Sequence, residues 1–308
     1  MKSFLRYIGF ALLLLLGIAV LLDVVYTDIY SRAKDRWKME YVLHTPAQQY
    51  DVVILGSSRA NNHFVPELFE KHGLKTFNFG MSGSHLFEDA LLLQLLLDQK
   101  NSINYVLLEA DLNLSNEKRD DGTTARFLPY LHSNSTIRSH YQNEPEFPYW
   151  YYLPFYRYTA FESQIGLLEL MKTIAHEPST TLANRGYYPL PTNKKGNMKN
   201  DYRALKLRPN RYYEQIKKLC TQHHIRLITV TTPVCENVKG MAYFEKVTQL
   251  YPEIHNCEDF VNQDRYFSSC GHLNDAGARL FTQKIISKFF PKKQLSSHTN
   301  TGNAIRSH

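Results

Sequence analysis

Apolar and polar positions along the chain fall into three regimes. From Ile8 to Leu22 the run is apolar without a break, and Val24-Val25-Tyr26 extends it past Asp23. Such a run reads as a single membrane helix or a signal peptide. Asp23-Val24-Val25-Tyr26 offers no small-x-small cleavage site, so an uncleaved anchor over residues 1–30 is the better reading. Residues 31–49 follow as a membrane-proximal stalk, helical around Tyr30 to Leu43 and ending at Pro46. The second regime starts near residue 50, where short apolar runs alternate with helical periods. Val52–Leu55 is a strand covered on both faces and ends in a Gly56-Ser57-Ser58 turn. A short helix from Pro66 stops at Gly73, Thr76–Phe79 is a second strand, and Leu86–Leu97 is a long helix. Its leucines run nearly all the way round, so it should be heavily buried. Asn104–Leu108 is a third strand. Alternation at this spacing predicts parallel βαβ units.

The third regime, 113–208, breaks that alternation and reads as an insertion over the carboxyl edge of the sheet. Residues 147–161 are crowded with aromatics, among them Phe147, Tyr149, Trp150, Tyr151 and Tyr152. They suit the packing of a cap better than a sugar site, although aromatic faces can serve either. Phe161 to Ala175 reads as one helix. Residues 191–211 are polar and basic, an exposed loop rather than an anion site. The βα pattern then resumes with a helix from Asn210 to Cys220, a strand from Arg226 to Thr231, a helix from Met241 to Leu250, a short last strand within Ile254–Phe260, and a closing helix from Asp275. The folded domain spans 50–292. Residues 293–308 lack an apolar period and read as a disordered tail.

Composition adds little to this pattern. The 308 residues are 43% hydrophobic and 21% charged, as expected of a globular chain, with a formal charge of +7. That balance is mild, and no nucleic-acid motif accompanies it. Cys220, Cys235, Cys257 and Cys270 allow three complete pairings. Cys257–Cys270 is attractive because both flank the block leading to His272, and separate reduced thiols are the alternative. No spacing resembles a zinc site, and neither a metal nor a cofactor is expected.

Candidate chemistry sits at the ends of the strands, where open α/β sheets place ligands. Ser58 ends the first turn, Asn78-Phe79-Gly80-Met81-Ser82-Gly83 follows the second strand, and Gly271-His272-Leu273-Asn274-Asp275-Ala276-Gly277-Ala278 precedes the last helix. This ordered set resembles the SGNH hydrolases, or GDSL-like esterases, and within them the membrane-tethered branch related to bacterial cell-envelope acylation proteins. The resemblance covers roughly 50–112 and 225–290. It implies a flavodoxin-like three-layer α/β sandwich, a nucleophile at Ser58, a base at His272, and an oxyanion hole built from the backbone N–H groups of Ser58 and Gly83, with Gly80 a weaker choice. It also implies a short cytoplasmic N-terminus and an exported domain, an orientation that charge does not set, because Lys2 and Arg6 are balanced by Arg32, Lys34, Arg36 and Lys38 across the apolar run. The implied activity is that of a serine esterase or O-acyltransferase on O-acyl groups, acetyl above all, of an envelope glycan or a small ester, with a membrane acyl-donor partner in the transfer case.

Two positions depart from the family pattern. The third strand ends Glu109-Ala110-Asp111-Leu112-Asn113, with no asparagine at the oxyanion position, so Asn113 could serve only after a shift of the loop. Ser269 stands three residues before His272, where the family carries its acid. This leaves a Ser58–His272 dyad, a substitute acid at Asp259 or Asp264, or a fold that has lost catalysis and serves as a binding or scaffold protein. A Rossmann-type nucleotide site would need Gly-x-Gly-x-x-Gly spacing after the first strand, and that spacing is absent.

Overall fold

A computed structural model describes residues 1–34, 36–193 and 198–291. The tail expected at 293–308 and the loop lysines Lys194 and Lys195 lie outside the described residues. Four parallel strands form the central sheet: β1 (Gln49–Leu55), β2 (Thr76–Asn78), β3 (Ser102–Glu109) and β4 (Arg226–Val230), in the order β2-β1-β3-β4. Val52 pairs with Thr76 on one side and with Tyr105 on the other, and Glu109 pairs with Val230. This is the strand order of a flavodoxin-like sheet. The expected last strand shrinks to a single parallel bridge between Val230 and His255.

Alternate strand residues supply the two cores, as a pleated sheet requires. Val53, Leu55, Val106 and Leu108 face one side, and Val52, Ile54, Leu107 and Ile228 the other. On the first side lie α5 (Leu86–Asp98), α6 (Arg211–Gln222) and α7 (Ala242–Leu250). On the second lie α3 (Ser58–His63), α4 (Pro66–Lys71) and α8 (Asp275–Phe289). Helices α5 and α6 pack together, and an insertion helix, Ser135–Tyr141, also meets α5. That explains why leucines are buried almost all round α5.

Helix α1 (Lys2–Arg32) is long and apolar enough to cross a membrane, and its side chains up to Leu21 are mostly exposed. Its last turns dock on the insertion. Asp23 pairs with the buried Arg157 at 2.7 Å and accepts the Phe155 N–H at 2.7 Å. Tyr26 packs edge-on against Phe155, and Tyr30 stacks on Tyr158. Part of the aromatic cluster therefore holds the apolar helix α1 to the insertion, while Tyr149 and Tyr152 remain exposed. The stalk helix expected around Tyr30–Leu43 is interrupted: α1 stops at Arg32, and α2 (Lys38–His44) begins six residues on, with Lys38, Met39, Glu40 and Val42 buried. The helix expected over Phe161–Ala175 is likewise two, Glu162–Ile165 and Leu167–Ile174. They part at Gly166, where a Cβ would come within 2.3 Å of the Glu162 carbonyl oxygen.

Helix α3 begins directly at Ser58, where the apolar pattern indicated only a turn. The missed signal is polar: Ser57 Oγ accepts the Arg59 N–H at 3.2 Å, while Arg59, Asn61, Asn62 and His63 are all buried. The turn into it depends on Gly56, whose φ is +133° and whose added Cβ would meet Glu109 Cβ at 2.8 Å and Ala60 Cβ at 2.9 Å. Gly73 has φ +89° but open space around it. Gly56→Ala should therefore cost about 3 kcal/mol or more, combining backbone strain with a clash, and Gly73→Ala only about 1 kcal/mol. Denaturant unfolding of the two variants checks this, and equal losses would refute it.

Candidate active site

Ser58 is half-buried at the first position of α3, above the carboxyl end of β1. The N–H at that helix position has no intrahelical partner. Its Oγ lies 2.9 Å from Nε2 of His272, 214 residues along the chain. His272 is carried by the short hairpin Phe267–Ser269/His272–Leu273, just before α8. Asn274 caps α8 by accepting the Gly277 N–H at 2.9 Å, and its amide donates to the Arg265 carbonyl at 2.8 Å. Gly277 is required there, because a Cβ would lie 2.2 Å from the Tyr266 carbonyl oxygen. The motif His-Leu-Asn-x-x-Gly thus encodes a cap and a close contact that fix the loop bearing the imidazole.

The other imidazole nitrogen, Nδ1, is 3.2 Å from Ser269 Oγ. Neither Asp259 nor Asp264 is hydrogen-bonded to it. Asp259 is exposed, and Asp264 Oδ1 accepts the Glu236 N–H at 3.0 Å. Burial lowers the His272 pKa below its ordinary 6.5, the Arg59 charge lowers it further, and Asp111 opposes both. His63, fully buried, accepts the Leu273 N–H at 3.1 Å and sets its ring 6.3 Å from that of His272. Burial and the Arg59 charge keep His63 neutral. His63 thereby positions the residue next to the imidazole, a role that no motif announced.

The turn that presents Ser58 is held from below. Glu109, at the end of β3, accepts the Ser57 N–H at 2.9 Å and the Ser57 hydroxyl at 2.6 Å. Burial, and then the adjacent Asp111 charge, push the Glu109 carboxyl up to about 8. Arg59 pairs with Asp111 at 2.9 Å and donates to the Thr232 and Pro233 carbonyls, each at 2.8 Å. Asp111 also accepts the Thr232 N–H and hydroxyl, at 3.1 and 3.0 Å. Asn78 donates to the Ala60 and Phe64 carbonyls at 2.8 and 3.0 Å and accepts the Gly80 N–H at 2.9 Å. A Cβ on Gly80 would lie 2.6 Å from Ala60 Cβ, so the second block packs backbone-close against α3.

Gly83 has φ +90°, and its N–H enters no hydrogen bond among the described residues. Asn113 is turned toward the Ser84 carbonyl, at 3.4 Å, in the 3₁₀ turn Leu112–Ser115. Asn61, one turn beyond Ser58 on α3, is a side-chain amide that the sequence reading passed over. Its Oδ1 takes a hydrogen bond from Lys38 at 2.7 Å, which turns its NH₂ toward Ser82 Oγ, at 3.4 Å. The Ser-x-x-Asn spacing, which places both on one helix face, was the available signal.

The disulfide differs from the favoured pairing. Cys235 is bonded to Cys270, with Cα atoms 4.9 Å apart, while Cys220 and Cys257 are free and buried. Cys257 is held beside β4, its N–H donating to Thr231 Oγ1 at 2.8 Å within the core, so Cys270 takes its partner from the turn after β4 instead. The bond ties that turn to the loop two residues before His272.

No protein-family model matches the chain, and no curated protein matches it. A solved structure from Streptococcus pneumonia, described as that of a putative platelet activating factor, is similar at 12% identity, covering 91% of this chain and 98% of its own, with a TM-score of 0.31.

The buried glutamates give a test of this framework. The folded state holds the Glu109 proton up to about 8, as against the ordinary 4.5, and burial likewise pushes Glu88 up to about 8. Between those values the native state binds more protons than the unfolded one, so stability should fall as pH rises from about 4.5 to 8. Glu109→Gln should flatten that decline without abolishing it. Thermal melts at pH 5, 6.5 and 8 check this, and parallel curves for the two proteins would count against it.

Proposed function

We propose that the protein is a membrane-anchored serine esterase or O-acyltransferase of the SGNH type, acting on O-acyl groups, acetyl above all, of a cell-envelope glycan on the exported side of the membrane. The observation that carries this reading is the 2.9 Å contact between Ser58 Oγ and His272 Nε2 at the carboxyl edge of the parallel sheet. Nε2 accepts the hydroxyl proton as Oγ attacks the ester carbonyl. The backbone N–H groups of Ser58 and Gly83 receive the oxyanion, with the Asn61 amide close by as a side-chain donor. Collapse breaks the bond to the sugar oxygen, which leaves with the proton from Nε2, and the acyl group stays on Ser58. Attack by water, its proton passing to Nε2, then breaks the acyl–Oγ bond; Oγ regains the proton from Nε2 and the free acid leaves, which completes an esterase. Attack by a second sugar hydroxyl completes a transferase, and then a membrane partner supplies the acyl donor.

Ser269 in place of the orienting acid means that His272 works as one half of a dyad. A hydroxyl holds the tautomer but stabilises the imidazolium less than a carboxylate does. That same feature favours the second reading, a binding or scaffold protein on this fold.

Two outcomes separate the readings. A serine-directed phosphonate should label Ser58, and labelling should vanish in Ser58→Ala; an unlabelled wild-type protein would favour the scaffold. Because burial lowers the His272 pKa, the acid limb of kcat/KM should lie below pH 6.5. Ser269→Asp should move that limb upward and raise turnover, with about 10⁴ as the ceiling set by loss of the acid in a related triad. A limb unmoved by Ser269→Asp would deny His272 the role of base.

A further inference from the structure

A cavity of about 290 Å³ is lined in part by Asn61, one turn from Ser58 on α3, and by Trp37, Lys38, Ser82, Arg126 and Thr180. Its walls come from the segment before α2, from the turn after β2, and from the insertion. Among the described residues, no carboxylate hydrogen-bonds to the side-chain donors that line the cavity. Lys38 is 1% exposed, and its ammonium donates only to neutral oxygens: Asn61 Oδ1 at 2.7 Å, the Gly186 carbonyl at 2.7 Å, and the Gly80 carbonyl. The Arg126 guanidinium stacks over the Trp37 ring, 3.9 Å from its centroid, and makes no hydrogen bond or ion pair among the described residues. Its buried Nε is unpartnered, and so is the buried indole N–H of Trp37. The nearby carboxylates Asp120, Glu169 and Glu40 act on Arg126 only through space, because each is bonded to other groups. Glu40 accepts the Arg36 and Trp37 amides, Glu169 pairs with Arg36 and Lys172, and Asp120 caps Thr123.

Leaving the Arg126 and Trp37 donors buried and unpartnered is costly unless something negative completes the set. A guanidinium held flat on an indole keeps its fork of donors directed at a planar or tetrahedral oxyanion. Hydroxyls at Ser82, Thr180 and Thr181 add neutral donors for the remaining oxygens. We infer that this cavity is an anion subsite, in which Arg126 and Trp37, beside the fully bonded Lys38, take a carboxylate or phosphate group of the molecule whose ester faces Ser58. The acceptable substrates are then acidic glycans, carrying a sugar carboxylate or a phosphodiester beside the acylated position, rather than neutral ones. Calling the group part of a substrate rests on the Ser58–His272 reading; the existence of the subsite does not.

The test is direct binding to full-length Ser58→Ala protein in detergent, so that it is independent of turnover. With two tryptophans in the chain, the indole N–H resonances in a ¹H–¹⁵N spectrum are assigned by Trp37→Phe. Sodium glucuronate, inorganic phosphate and the neutral glucuronamide are titrated separately. At least one anion should shift the Trp37 resonance saturably, more weakly at higher salt, while the amide leaves it unmoved. Arg126→Gln should weaken that binding about tenfold or more, the worth of a lost charge-assisted pair. An unchanged Trp150 resonance shows that the variant is folded; if it moves, Arg126→Lys, which keeps the charge but not the fork, should weaken binding severalfold. Glucuronate alone identifies an acidic sugar, phosphate alone a phosphodiester, and both together a general oxyanion site. No saturable shift with either anion, equal binding of the amide, or indifference to the Arg126 variants would overturn the inference. Loss of phosphonate labelling with binding intact would instead count only against the esterase.

Discussion

A single buried guanidinium gathers the ends of three strands. Arg59 follows β1, pairs with Asp111 beyond β3, and donates to the two carbonyls that follow β4. Without that charge the three loops would have no common fixed point, and Asp111 would be left as an unpaired buried carboxylate, a cost of several kcal/mol. The Cys235–Cys270 bond then continues the chain of restraint from the β4 turn to the His272 loop. The 2.9 Å meeting of Ser58 and His272 is the end result of this relay rather than of any direct local preference.

Much of the frame was legible because it is repetitive. Every main-sheet strand was foreseen from short apolar runs, and α5 from its leucines. Boundaries moved by a few residues at the ends of elements, where pairing and capping decide rather than periodicity. What escaped were short elements built on polar groups. Helix α3 has no apolar stripe, because its buried face is Arg59, Asn61, Asn62 and His63, each matched to a partner distant in sequence. A short last strand was expected within Ile254–Phe260 and is one bridge, since only Val230 and His255 come into register.

The two ends of the candidate pair were legible in the sequence and the groups that support them were not. Ser58 and His272 each stand in a recognisable block. Glu109, His63 and Lys38 do not, and their roles appear only when loops from separate parts of the chain close around them. The cysteine pairing was hidden for the same reason: proximity along the chain pointed to Cys257, whereas the fold carries it into the core beside Thr231.

The junction of α1 with the cap has a mechanical meaning. Asp23, Tyr26 and Tyr30 are packed and paired, so the apolar helix enters the globular body as a rigid mast rather than a leash. On the membrane-anchored proposal, a leash would leave the height and tilt of Ser58 above the lipid unset. On that same proposal a mast would hold Ser58 at one altitude and one tilt, so that what it meets is set by what enters that thin layer.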